Sequence, residues 1–158
     1  MVHNSPKINL TPMPETKIAI ISASWHQEVC DALVSGSVRA CKEAEINNYE
    51  IIKVPGSFEL PLASQLAFEK GFDAAVVVGL VLRGETPHFD YVCSGVAHGI
   101  MEVQLKFSKP IGFGVLMCEN LNQAYARCGL PHSSEDKGYD SAVAALRLLE
   151  LKNNYIKY

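Results

Sequence analysis

The chain has 158 residues, of which 48% are hydrophobic, and its formal net charge at pH 7 is −3. This length is typical of one domain with a sizeable core, and the hydrophobic content argues against a disordered chain. The slightly acidic balance and the lack of a Lys/Arg tract argue against a nucleic-acid-binding protein. The sequence shows neither a signal peptide nor an apolar stretch of membrane-spanning length, so we expect a soluble, cytoplasmic protein.

The chain begins with a polar segment, residues 1–16, that contains three prolines. We expect an extended arm here, and such an arm can add a strand to a neighbouring chain's sheet. Residues 17–158 then form a single domain, in which short apolar runs alternate with segments of helical period. Predicted strands cover 17–22, 50–54, 73–82 and 110–117, and predicted helices begin near 26, 57, 87, 119 and 137.

Strands that alternate with helices predict a parallel sheet with helices on both faces. We favour a three-layer α/β/α flavodoxin-like sandwich with four strands in the order 2-1-3-4, joined by right-handed crossovers. In such sheets ligands bind beyond the carboxyl ends of the strands, where the strand order reverses. Here that point lies between the first and third strands, and three loops converge on it: "SASWHQ", "VPGSFE" and "RGETPH".

The five cysteines are odd in number and include no CxxC pair, which is typical of a reducing compartment. No constellation of metal ligands is visible, and we expect neither a metal nor an organic cofactor. The cysteines are therefore interpreted as packing residues. Cys118 lies at the end of a predicted strand, and the other four lie in predicted helices: Cys30, Cys41, Cys93 and Cys128.

The loop after the third strand has the features of a phosphate cradle. Gly84 allows a ligand to approach the backbone closely, Thr86 is the expected N-cap, and Pro87 suits the first helical position. The amides around Gly84, Glu85 and Thr86 would then lie at a helix N-terminus, which favours an anion. The Glu85 side chain must face away from a phosphate. The alternative is an ordinary capped turn.

His88 falls in the first turn of the next helix. A helix N-terminus favours the neutral imidazole, which can move protons near pH 7. The alternative is a surface histidine, since the chain has five histidines in all. Its position at the switch point makes His88 the strongest candidate among them.

Four residues of the two other loops are also candidates. Trp25, the only tryptophan, is either a core residue or a stacking platform for a planar ring. Ser57 is the expected cap of the second helix. Phe58 and Glu59 open that helix, where Glu59 either accepts hydrogen bonds from ligand hydroxyls or simply complements the helix dipole.

Several motifs together resemble the lumazine synthase family, which catalyses the penultimate step of riboflavin biosynthesis. They run in order from about Lys17 to Leu149: "VPGSFELP", "LVLRGETPHFDYV", "GFGVLMCENLNQA", "ARCG" and "EDKG". The resemblance implies a cofactor-free condensation of 5-amino-6-(D-ribitylamino)uracil with 3,4-dihydroxy-2-butanone 4-phosphate. The products would be 6,7-dimethyl-8-ribityllumazine, phosphate and water.

The resemblance also assigns roles to the candidates. Trp25 would stack on the pyrimidine, and His88 would carry protons for imine formation and phosphate loss. The ribityl chain and the ring would be held by Ser57, Phe58 and Glu59. The uracil would contact the backbone of Leu80, Val81 and Leu82. The phosphate would bind at Gly84, Glu85 and Thr86.

The family's sites are completed by a neighbouring subunit, and the matching residues are Phe113, Arg127 and Lys137. Phe113 would cover the ring, and Arg127 would bind the phosphate. Without the resemblance, Arg127 is an ordinary cation at a helix C-terminus. The resemblance also implies a homopentamer, with riboflavin synthase as a functional partner.

Two departures from the family pattern stand out. Many members have Phe-Asn where this chain has Trp25-His26, and others have Trp-His. The loop between Gly129 and Gly138 is longer than in members that form sixty-subunit shells, and it contains Pro131. We therefore expect pentamers that do not close into a shell.

Two other classes of protein fit the same architecture, because a fold does not fix a function. A flavin-binding or signalling module would need a Ser/Thr-rich loop or an acidic cluster after the first strand, and "IISASWHQ" has neither. A structural shell protein with a relic site is disfavoured by the intact His88 and Arg127.

Overall fold

The computed structural model describes residues 5–155; the first four residues of the predicted arm lie outside this range. The strands are β1 (Ile18–Ala23), β2 (Tyr49–Val54), β3 (Ala74–Leu82) and β4 (Ile111–Cys118). The helices are α1 (Gln27–Glu43), α2 (Leu60–Glu69), α3 (His88–Phe107), α4 (Leu121–Tyr125) and α5 (Lys137–Tyr155), with a 3₁₀ turn at Ser57–Glu59 before α2.

The sheet has the order β2-β1-β3-β4, and all of its strand pairs are parallel. The predicted order and the three-layer architecture are therefore confirmed. All six residues of β1 are buried, as expected for a parallel strand covered on both faces. Ile18 and Ile20 pack with the buried residues of α1 and α5, whereas Ala19 and Ile21 pack with those of α2 and α3.

Helix α5 lies very close to α1 and β4, and this packing fixes where it begins. A Cβ added to Gly138 would lie 2.1 Å from the Leu33 carbonyl oxygen, and one added to Gly112 would lie 2.2 Å from the Ser141 carbonyl oxygen. Asp136 caps the helix, because its Oδ1 accepts a hydrogen bond from the Tyr139 N–H at 3.0 Å. The same carboxylate forms an ion pair with Arg39 of α1.

The cysteines pack as predicted, with one correction. Cys30 and Cys41 lie in α1, Cys93 lies in α3, and Cys118 ends β4. Cys128 is not helical, because α4 ends at Tyr125 and Cys128 instead forms an isolated antiparallel bridge with Asp136. Burial raises the pKa of the Cys30 and Cys41 thiols to about 11.

Residues 5–16 lie along their own chain. Ile8, Leu10 and Met13 pack against the core on the α1/α5 side. The Met13 N–H donates to the Ala44 carbonyl oxygen at 2.9 Å, and the Thr11 hydroxyl donates to Glu150 at 2.6 Å. Addition of this arm to a neighbour's sheet stays a prediction. None of the helices described within residues 5–155 is long and apolar enough to cross a membrane.

Candidate active site

The carboxyl end of β3 extends beyond β1. Its pairing with β1 ends at Ser22 and Val78, whereas its pairing with β4 continues to Leu82 and Cys118. The last four residues of β3, 79–82, are therefore not covered by a strand on the β1 side. This edge faces the switch point, where Val81 and Leu82 are partly exposed and accessible to a ligand, whereas Leu80 is buried.

The loop that follows carries three backbone amides without an internal partner. Within residues 5–155, none of the N–H groups of Gly84, Glu85 and Thr86 donates a hydrogen bond. All three residues are exposed, and they precede the N-terminus of α3, a helix of 20 residues. Such a group of amides favours a bound anion.

The start of α3 differs by one position from the prediction. Pro87, with φ −61° and ψ −5°, precedes the first helical residue, His88, rather than occupying the first position itself. Thr86 still contributes a cap-like contact, since its Oγ1 accepts a hydrogen bond from the His88 N–H at 3.4 Å. The His88 side chain is exposed and makes no hydrogen bond within the described part of the chain. It is thus free to contact a ligand beside the amides.

Arg83 holds this loop in place, a role that sequence reasoning missed. Its backbone N–H donates to the Cys118 carbonyl oxygen at 3.0 Å, which extends the pairing of β3 with β4. Its guanidinium lies 2.7 Å from Glu119 and 3.3 Å from Asp90, and 4.3 Å from the centre of the Phe89 ring. These contacts tie the loop to the end of β4 and to the first turn of α3.

Trp25 is a surface residue, so its interpretation as a core residue is wrong. The residue is 68% exposed, and two atoms of the indole lie 3.4 Å from the position of a Cβ on Gly56. The loops after β1 and β2 are joined by hydrogen bonds from Ser24, whose N–H donates to the Pro55 carbonyl oxygen and whose hydroxyl donates to that of Val54. The indole therefore lies at the switch point with an open face.

The predicted cap at Ser57 is wrong. The cap is made by Gly56, whose N–H donates to Glu59 Oε2 at 2.8 Å, while the Glu59 N–H donates back to the Gly56 carbonyl oxygen at 3.3 Å. Glu59 therefore serves the local turn, and its carboxylate is held in a fixed position. Ser57 is not needed as a cap because the glycine backbone and the glutamate already close the turn.

The Ser57 hydroxyl is buried and lacks a hydrogen-bond partner within residues 5–155. It lies 2.6 Å from the position of a Cβ on Gly79, so only glycine fits there without displacing it. A buried hydroxyl without a partner costs about 1–3 kcal/mol, which a ligand hydroxyl would offset. Phe58 is exposed and packs on Gly95 of α3.

Phe113 lies far from this cluster within one chain. It pairs with Val77 in the middle of the edge strand β4, and its side chain is exposed. Cys118, at the end of the strand, lies five positions further along the chain, a distance of about 16 Å. Phe113 therefore cannot cover a ring that is bound beside its own Trp25, but it is accessible to a second chain.

Arg127 and Lys137 lie together on either side of Glu135. Arg127 donates to the Gln123 carbonyl oxygen at 2.9 Å, as expected for a cation at the C-terminus of α4. Its Nε lies 3.7 Å from Glu135 Oε1, and Lys137 Nζ lies 2.5 Å from Glu135 Oε2. The hydrogen bond to Glu135 holds the pKa of Lys137 above its usual value. Glu135 was not predicted as a site residue.

The candidate residues form an open surface on a single chain. Two cavities of nearly 500 Å³ each lie within residues 5–155, away from the three loops. One lies between the C-terminal ends of α3 and α5, and the other lies beneath the arm and is lined in part by Lys137. No group of three or more metal-ligating side chains occurs within residues 5–155.

Comparison with known proteins decides the family. A model of the 6,7-dimethyl-8-ribityllumazine synthase family matches residues 15–153. The chain belongs to this family. A lumazine synthase of Paenarthrobacter aurescens is 48% identical over 149 residues, covering 91% of this chain and 92% of that protein. One of Streptomyces coelicolor is 43% identical over 142 residues (90% and 88%), and one of Pseudarthrobacter chlorophenolicus is 43% identical over 158 residues (97% and 98%).

Within this lumazine synthase chain, the predicted site residues fall into two separate groups. One group lies at the switch-point edge of the sheet, on the loops after β1, β2 and β3, on the end of β3 and at the start of α3: Trp25, Ser57, Phe58, Glu59, Leu80, Val81, Leu82, Gly84, Glu85, Thr86 and His88. The second group consists of Phe113 on β4 and of Arg127 with Lys137 near the start of α5. The hydrogen bonds and ion pairs of Arg127 and Lys137 all stay within residues 123–140.

Proposed function

We propose that this chain condenses 5-amino-6-(D-ribitylamino)uracil with 3,4-dihydroxy-2-butanone 4-phosphate to form 6,7-dimethyl-8-ribityllumazine, with release of phosphate and water. The observation that carries this proposal is the group of unpaired amides at Gly84, Glu85 and Thr86. They lie at the N-terminus of α3, on the same sheet edge as Trp25 and the buried Ser57 hydroxyl.

The phosphate of the butanone binds at the amides of residues 84–86. The helix dipole of α3 adds to their attraction for an anion. Arg83 supports this site by holding its loop, through the contacts of its guanidinium with Glu119 and Asp90. Arg127 and Lys137 of the neighbouring subunit supply positive charge from the opposite side.

The ribitylaminouracil binds between the loops after β1 and β2. Its pyrimidine stacks on Trp25, and the backbone of residues 80–82 contacts its polar edge. Ribityl hydroxyls bond to the Ser57 hydroxyl and to the carboxylate of Glu59, which the Gly56 N–H holds in position. Phe113 of the neighbour covers the ring from its other side.

His88 moves the protons of the reaction. Imine formation between the amine and the ketone releases one water, and loss of the phosphate then requires removal of a proton from carbon. Attack of the ribitylamino nitrogen on the remaining carbonyl carbon closes the ring and releases a second water. An exposed imidazole at the start of α3, beside the phosphate loop, can accept and donate protons in these steps. Holding the two substrates together supplies much of the remaining rate.

The enzyme acts as a homopentamer with sites shared between adjacent subunits. The two groups of site residues are separated on one chain, and a heterologous contact that repeats around a ring brings them together. The polar arm adds a strand to the neighbour's sheet. The unpaired, largely buried cysteines support a cytoplasmic location. Riboflavin synthase, which consumes the product, is the expected functional partner.

The test combines the two substrates and follows lumazine fluorescence above the uncatalysed rate. The expected result is a turnover that scales with enzyme and is unchanged by EDTA. A protein that binds flavin tightly without accelerating the condensation would instead be a flavin-binding module, and the proposal would be wrong.

Sharing of sites is tested by mixing two impaired variants and assaying them at substrate concentrations below KM, where both are slow. One subunit carries Arg127→Ala, and the other carries Trp25→Ala with His88→Ala. Co-assembled rings contain some sites in which both contributions are wild type, so activity should return upon mixing. Activity that stays at the level of the separate variants would show that each chain uses its own Arg127.

A further inference from the structure

We infer that Glu135 competes with phosphate for Arg127 and Lys137 and thereby limits the affinity of the site for phosphate. This inference rests on the proposed function, in which these two cations face the phosphate of a neighbouring subunit. It assigns a role to Glu135, the first residue of the "EDKG" motif, to which the resemblance assigns no contact with a substrate.

The geometry places the carboxylate between the two cations. Its Oε2 lies 2.5 Å from Lys137 Nζ, and its Oε1 lies 3.7 Å from Arg127 Nε. Only 17% of the Glu135 side chain is exposed, which is less than for either partner. An anion that binds these two cations must therefore compete with the Glu135 carboxylate, which is already paired with them.

The backbone fixes Glu135 at this position. Its N–H donates to the Ala126 carbonyl oxygen at 3.0 Å, and its own carbonyl oxygen accepts from the Gly129 N–H at 3.1 Å. The Lys137 N–H in turn donates to the Arg127 carbonyl oxygen at 2.9 Å. These main-chain hydrogen bonds hold Arg127, Glu135 and Lys137 close together. The ion pairs therefore do not depend on side-chain conformation alone.

The charges of the cluster explain the expected effect. Asp140 lies 3.6 Å from Lys137 Nζ, so two carboxylates accompany the two cations and leave the cluster formally neutral. Removal of the Glu135 charge gives the cluster a net positive charge. Glu135→Gln removes that charge while it keeps an oxygen that accepts from Lys137, so the positions of the cations are retained.

The experiment measures inorganic phosphate binding by calorimetry on the assembled full-length protein. Glu135→Gln should bind phosphate about three- to tenfold more tightly, as expected for removal of a unit charge several ångströms from an anion at a partly exposed site. The KM for the phosphorylated substrate should fall with it, while the KM for the ribitylaminouracil stays unchanged. Glu135→Ser removes the same charge and serves as the second variant.

Glu150→Gln is the matched control. Glu150 also pairs with an arginine, Arg147, and its side chain is 14% exposed, but it lies at the other end of α5. Glu150→Gln changes the net charge by the same amount as Glu135→Gln. It should alter phosphate binding by less than about twofold, because salt screens distant charges. Unchanged or weaker binding by both Glu135 variants would overturn the inference. If Arg127→Ala binds phosphate as well as the unaltered protein, the proposed site itself is wrong and the inference is overturned with it.

Discussion

Replacement of Trp25 by alanine should weaken binding of the ribitylaminouracil without destabilising the fold. Trp25 is 68% exposed and its indole lies beside Gly56, so little buried apolar area is lost when the side chain is removed. Stacking of a base on an aromatic side chain is worth about 1–3 kcal/mol by alanine substitution. The expected rise in KM for this substrate is therefore about 5- to 150-fold.

The same variant should leave the KM for the phosphorylated substrate nearly unchanged, because that substrate binds at residues 84–86. Trp25→Phe keeps an aromatic face and should recover most of the loss. Tyr155→Ala is the control, since Tyr155 is 77% exposed at the far end of α5. Steady-state assays that vary each substrate in turn distinguish these effects.

Fluorescence provides a second, independent readout. Trp25 is the only tryptophan in the chain, so any change in indole emission reports on this residue. Saturating product should quench the emission by stacking on the ring. An unchanged spectrum, together with an unchanged KM in the alanine variant, would refute the stacking role.

Three further predictions concern the rest of the site and the assembly. His88→Ala should lower kcat by no more than about 100-fold, because positioning supplies much of the rate; a loss of several further decades in single-turnover assays would contradict this. Arg127→Ala should raise the KM for the phosphorylated substrate by about 10- to 150-fold, from a lost charge-assisted contact of about 1.5–3 kcal/mol, whereas an equal rise for both substrates would place Arg127 elsewhere. Multi-angle light scattering should give a mass of five chains, and a mass near sixty chains would show that the longer loop before α5 does not block shell assembly.

The sheet was predictable because its signals are local. Each strand is a short apolar run that alternates with helical periodicity, and right-handed crossovers leave few ways to order four such strands. All four strand boundaries agree with the prediction to within one residue. The gathering of Trp25, Ser57 and Gly84 at one edge then follows from topology alone.

The supporting contacts were not predictable because their partners are distant in sequence. Arg83 reaches Glu119, which lies 36 residues further along the chain. The prediction of a cap at Ser57 is wrong because the Glu59 carboxylate accepts the hydrogen bond from the Gly56 N–H and closes the turn. In the resulting 3₁₀ turn the Ser57 hydroxyl is buried against Gly79. Spacing alone does not distinguish a serine that caps a helix from one that packs beneath it.

The Trp25-His26 pair illustrates how a backbone requirement can explain a departure from a family pattern. His26 has φ 55° and ψ 61°, in the left-handed region, and its carbonyl oxygen accepts hydrogen bonds from the N–H groups of Val29 and Cys30 at the start of α1. Among residues other than glycine, asparagine, aspartate and histidine enter this region most readily. Asparagine and histidine are the two residue types found here in the patterns that the sequence resembles. The left-handed residue turns the chain from β1 into α1 within a few residues and leaves Trp25 exposed over Gly56. The exchange of asparagine for histidine therefore preserves the turn that presents the stacking ring, independently of any contact that the imidazole itself makes.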